Sequence, residues 1–91
     1  MPVEFDLAQA LYKYSSHYST QKISNRNIYL LGERVAEIRS ERWIRKALES
    51  LDNKDILSRK SRGVWLIQKD KLVSYLDESE FEAAVEQVID R

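Results

Sequence analysis

The sequence predicts one small, mainly helical domain of the α+β class. Chain-breaking residues are scarce, two glycines and one proline in 91 residues, which favours helices joined by short connections. Apolar residues recur three and four apart in four separate stretches, the period of an amphipathic helix. Between the third and fourth stretches the pattern changes to the β-rich pieces Ile56-Leu57 and Val64 to Ile67, on either side of a basic glycine turn, KSRG. Three helices, a short β-hairpin and a C-terminal helix are therefore expected in a single domain over 1–91. Helices and hairpin occupy 1–68, and 69–91 forms a helical extension. A chain this short buries roughly 60 to 70% of its unfolded surface, so one modest core is all it can build.

The first helix is predicted from Glu4 to about Tyr14, because Phe5, Ala8, Leu11 and Tyr12 share a face and Asp6 lies near the start. The stretch SSHYST reads as its exit. Ser24 or Asn25 caps a second helix whose stripe is Ile28, Leu31 and Val35. Ser40 caps a third, ERWIRKALESLDN, with Ile44, Ala47, Leu48 and Leu51 inward. At about 100° per residue, its opposite face carries Arg42, Lys46, Glu49 and Asn53, with Arg45 on one flank and Trp43 on the other, where it can pack on the first helix or the hairpin. Gly63 supplies the positive backbone angle that a tight hairpin needs. Trp65 alternates with Val64 and Leu66, so it is expected as a core or interface anchor. Leu72 to Leu76 reads as a separate helical turn. In DESEFEAAVEQVIDR, Ser79 and Glu82 form a capping box and Phe81, Ala84, Val85, Val88 and Ile89 form an apolar stripe.

Charge is neutral in total, 15 basic against 15 acidic residues, but unevenly placed. Residues 34–71 carry eleven basic and six acidic side chains, and residues 72–91 one and six. A basic middle with an acidic end can present a positive face, a pattern associated with nucleic-acid contact; the same charges could instead neutralise one another on the folded surface. There is no cysteine, which excludes disulfides and thiolate chemistry. The chain shows neither a signal-peptide pattern nor a run near the ~18 apolar residues of a membrane span, so a soluble cytoplasmic protein without membrane association is expected. His17 is the sole histidine and has no partners at metal or catalytic spacing. No glycine-rich phosphate loop is present. No enzyme activity, metal or cofactor is expected.

Helix, helix, helix, basic hairpin, helix is the order of a winged helix-turn-helix domain. IRSERWIRKALESLDNKDILSRKSRGVWLI resembles the recognition helix and wing of many prokaryotic regulators, which follow S/T-x-x-x-[VI]-x-x-x-L-x-x-L-x-x-x-G-[LI]-[LIV]. Ser40, Ile44, Leu48, Leu51, Ile56 and Leu57 fill those slots in register. Asp55 stands where these families usually have glycine; Asp tolerates left-handed backbone better than most residues. The resemblance spans Lys22 to Ile67. RKSRGVWLI is also similar, over about ten residues, to the wing in the N-terminal domains of AbiEi-type antitoxins.

The resemblance implies a sequence-specific, double-stranded DNA-binding regulator, acting as a homodimeric repressor. The third helix would enter the major groove, with Arg42, Arg45 and Lys46 toward base edges and Arg39 and Ser40 at phosphate. The wing would bring Arg59, Lys60 and Arg62 to the backbone or minor groove. Ser24, Asn25, Arg26 and Asn27 at the second helix's start would favour another phosphate. Phe81, Val85, Val88 and Ile89 would form the dimer interface, presenting two recognition helices to a two-fold operator. Each basic element alone is also what a solvated face looks like; their coincidence favours DNA. The rivals are a winged helix used as a protein-docking module in a larger assembly, suggested by the zero net charge, and a domain that binds structured RNA.

Overall fold

The computed structural model describes residues 2–78. The predicted terminal helix, with its capping box and the dimer stripe of Phe81, Val85, Val88 and Ile89, lies outside the described residues. Among those described, the chain forms α1 (Pro2–Tyr18), β1 (Lys22–Ser24), α2 (Asn25–Arg34), α3 (Glu41–Asn53), β2 (Leu57–Ser61), β3 (Val64–Ile67) and helical residues 69–78, here α4. The class is α+β, four helices and a three-stranded antiparallel sheet in the order β1-β3-β2.

α1 buries Leu7, Ala8 and Leu11 completely. It runs one turn beyond the expected end at Tyr14, through the Ser-Ser-His-Tyr exit. Serine is a weak helix former because its hydroxyl competes for backbone groups. Here the Ser15 hydroxyl satisfies itself within the helix by donating to the Tyr12 carbonyl at 3.1 Å. Tyr14 and Tyr18, one turn apart, pack their rings at 5.0 Å. The helix ends where Ser19 turns to φ 51° and the Thr20 N–H donates to the Ser15 carbonyl.

α2 starts at its predicted cap: the Ser24 hydroxyl accepts from the Asn27 N–H at 3.1 Å. Of its expected stripe, Ile28 is buried and Leu31 packs against the core, but Val35 falls at the helix end and is 49% exposed. Gly32 lets α2 approach α3 closely, since a Cβ there would sit 2.9 Å from two Ile44 side-chain carbons. α3 matches its predicted bounds and inward face, with Ile44, Ala47, Leu48 and Leu51 buried. Ser40 occupies the cap position, but its side chain makes no capping hydrogen bond. Asp55, just beyond α3, adopts φ 60°, the left-handed geometry glycine would supply.

The strand before α2 is an addition to the expected hairpin. β1 pairs with β3 through Lys22↔Leu66, Ile23↔Trp65 and Ser24↔Val64. Within the hairpin the pairs are Leu57↔Ile67, Ser58↔Leu66, Arg59↔Trp65 and Ser61↔Val64, with a one-residue shift between Arg59 and Ser61. The turn is therefore shorter than KSRG. Lys60 and Ser61 extend β2, leaving Arg62 and Gly63 (φ 75°) as the turn. Side chains alternate across this sheet: Ile23, Trp65, Leu57 and Ile67 are buried against the helices, and Lys22, Leu66, Ser58 and Lys60 face outward. α4 is longer than the Leu72 to Leu76 turn expected and anchors through the fully buried Leu72.

Candidate nucleic-acid interface

The hairpin is fastened to the start of α2 by two hydrogen bonds, and a third contact within the hairpin supports them. The Asn25 N–H donates to the Gly63 carbonyl at 2.8 Å. The Trp65 indole N–H donates to Asn25 Oδ1 at 3.3 Å. The Arg59 guanidinium lies over the Trp65 ring, 4.9 Å from its centroid, a cation–π contact that holds the arginine in place by about 0.5 to 1 kcal/mol at an exposed site. Trp65 is thus a core anchor, 5% exposed, whose polar edge fixes the hairpin's angle. Of the expected phosphate residues at α2, Ser24 Oγ accepts the cap bond and Asn25 Oδ1 the indole bond, while Arg26 is exposed. Asn27 contributes its backbone N–H to that cap and is half-buried.

Arg39, Arg42, Arg45 and Lys46 are all exposed at or along α3, and Ser40 is half-buried. Lys46 rests over the Trp43 ring at 4.9 Å, and Trp43 itself is 43% exposed. Both line a small cleft of about 100 Å³ with Val3, Glu4, Ala47 and Ser50, which puts Trp43 on the α1 side of α3. In the hairpin, Arg59, Lys60 and Arg62 are exposed. The ion pairs formed among the described residues are Glu4 with Lys54 and Asp55 with Lys71; Glu41, Glu49 and Asp52 are exposed on α3 but pair with none of its cations. None of Arg39, Arg42, Arg45, Lys46, Arg59, Lys60 or Arg62 has a carboxylate among the described residues within ion-pair distance.

Behind α3 lies a polar group that nothing in the sequence pattern announces. The Glu4 carboxylate, on α1 and 7% exposed, accepts from the Ser50 hydroxyl, from Lys54 Nζ at 2.7 Å and from the Tyr75 hydroxyl at 2.7 Å. It ties α1, α3 and α4 together at one point. Burial pushes its pKa upward, but the hydrogen bonds from Lys54, Ser50 and Tyr75 and the Lys54 charge outweigh burial and hold the carboxyl below its ordinary 4.5. Charge-assisted bonds of this kind fix geometry as well as contribute stability, so the base of α3 is rigidly seated.

Among the described residues, no group of three His, Cys, Asp or Glu side chains could hold a metal ion. None of their helices is long and apolar enough to cross a membrane. His17, at the end of α1, packs edge-on against Tyr18 at 4.7 Å. The chain matches no protein-family model, and neither curated proteins nor solved structures give a significant match.

Proposed function

We propose that this chain is a winged helix-turn-helix domain that binds double-stranded DNA, with α3 as recognition helix and the β2–β3 hairpin as wing. The observation that carries the reading is the distribution of unpaired cations. In a chain of zero net charge, surface neutralisation would pair most cations with carboxylates. Among the described residues the ion-paired cations are Lys54 and Lys71; Arg42, Arg45 and Lys46 on α3 and Arg59, Lys60 and Arg62 on the hairpin have no carboxylate partner there, and unlike the equally unpaired Lys13, Arg34 and Lys69 they are grouped on one helix and the hairpin that follows it. Unpaired guanidinium and ammonium groups on a helix and a neighbouring strand pair suit a polyanion, because phosphate neutralisation releases condensed counterions.

In this reading Arg42, Arg45 and Lys46 approach base edges in the major groove, where arginine grips guanine through two hydrogen bonds. Arg39, Ser40 and Arg26 contact phosphate. The wing cations hold the backbone or minor groove and contribute affinity without sequence preference. The Phe81, Val85, Val88 and Ile89 stripe pairs two copies, which together occupy a two-fold operator and repress transcription from it.

Selection from a random pool of duplexes tests this. Wild type enriches a defined site; Arg42→Ala lowers affinity for that site by about 1 to 3 kcal/mol and relaxes the preference at one base pair. The wing variant Arg59→Ala/Lys60→Ala/Arg62→Ala weakens all sequences alike. A protein-docking role, which the exposed Trp43 would suit, predicts no enrichment and no effect of either variant.

A further inference from the structure

Lys22 was not among the residues that the sequence marked for phosphate, because the strand that displays it is only three residues long. Its place is set by register: Lys22 pairs with Leu66, and Leu66 pairs on its other side with Ser58. The three side chains therefore form one row across the outer face of the sheet, with Lys60 two residues beyond Ser58 on the same face. β1 and β2 are two strand spacings apart, roughly 9.6 Å, a gap that two lysine stems can close by lying over Leu66.

The Lys22 side chain lies close enough to Lys60 that its proximity and its charge lower the Lys60 pKa below the ordinary lysine value. Neither lysine forms an ion pair among the described residues. Ser58 adds a donor, since its oxygen accepts from Gln68 Nε2 at 3.0 Å and its own O–H remains to be given outward.

We infer that Lys22 and Lys60, with the Ser58 hydroxyl, form a phosphate-binding pair on the outer face of the sheet. This rests on the DNA-binding reading for its physiological ligand, a backbone phosphate of the duplex. The wing then holds DNA through its sheet face and not only through Arg62 at the turn, and β1 becomes part of the interface.

The test compares wild type, Lys22→Gln, Lys60→Gln and the double variant, all at exposed positions, by fluorescence anisotropy on a random-sequence duplex across a salt series. Either single substitution makes the slope of log K against log salt shallower by about 0.9, the value for one phosphate contact. The double variant loses little more than either single, because both lysines serve the same phosphate. In parallel, an amide NMR titration of the same proteins with inorganic phosphate shifts Ser58 and Leu66 in wild type and not in Lys22→Gln. DNA binding with an unchanged slope in Lys22→Gln overturns the pair and leaves the regulator reading standing. Absence of DNA binding together with the phosphate-dependent shifts establishes the pair as a free-phosphate site and removes the DNA reading. Absence of both removes the pair and the reading together.

Discussion

Replacing Glu4 by glutamine isolates the charge at the junction of α1, α3 and α4. The substitution keeps size and one acceptor oxygen but faces an amide NH₂ toward three donors. Hydrogen bonds to a charged group contribute about 1.5 to 3 kcal/mol and neutral ones about 0.5 to 1.5, so each of the three contacts weakens by about 1 kcal/mol. The Lys54 side chain is 48% exposed and recovers much of its loss in water. The net cost is then about 2 kcal/mol, which for a domain of this size lowers Tm by roughly 10 °C. Urea unfolding followed by circular dichroism at neutral pH measures it directly.

The pH dependence gives a second, independent check. The folded-state pKa of Glu4 is lowered from 4.5, so its contribution is fully present above that value and is lost as pH falls through the lower folded-state value. The gap between wild type and Glu4→Gln should therefore be constant above about pH 5 and shrink steadily in acid. A variant as stable as wild type at pH 7, or a gap that persists unchanged into strong acid, would refute the claim that an ionised Glu4 holds the three helices together.

Two further substitutions probe the geometry that positions α3. Gly32→Ala gains about 1 kcal/mol of helix propensity but pushes a methyl to 2.9 Å from Ile44, and overpacking of about 1 to 3 kcal/mol makes it a net loss in urea unfolding. In an Ile44→Ala background the clashing atoms are gone, and the same change should stabilise by about 1 kcal/mol. Asp55→Gly relieves the left-handed backbone at φ 60° and should raise stability by about 0.5 kcal/mol. The exposed pair with Lys71, at 3.8 Å, offers little to lose.

What could be read in advance followed from how local its causes are. α3 was legible from Ser40 to Asn53 because four apolar residues at strict spacing define both its length and its inward face. The hairpin was legible from Gly63, and the left-handed Asp55 from its place in the regulator-like pattern. β1 was not: three residues show no alternation, and Lys22–Ser24 becomes a strand only because β3 offers it an edge. That is also why Lys22 was missed. The end of α1 is not legible because Ser15 and Tyr18 are poor helix formers alone, and their stabilising contacts exist only once the helix does. Glu4 carried no local signal, since Ser50, Lys54 and Tyr75 lie 46, 50 and 71 residues away in sequence. The candidate cations were all legible, but that none of them pairs with a carboxylate among the described residues emerged only from the folded surface.

Equilibrium binding of the wild-type protein to a random-sequence duplex at a series of salt concentrations is the most direct measurement of the proposed role. The account predicts non-specific binding with Kd of about 10⁻⁴ to 10⁻⁶ M near physiological salt, and log K falling linearly with log salt at about −0.9 per phosphate contacted. In the Arg59→Ala/Lys60→Ala/Arg62→Ala variant the slope should be shallower. No binding at low salt, or binding whose strength ignores salt, would contradict it.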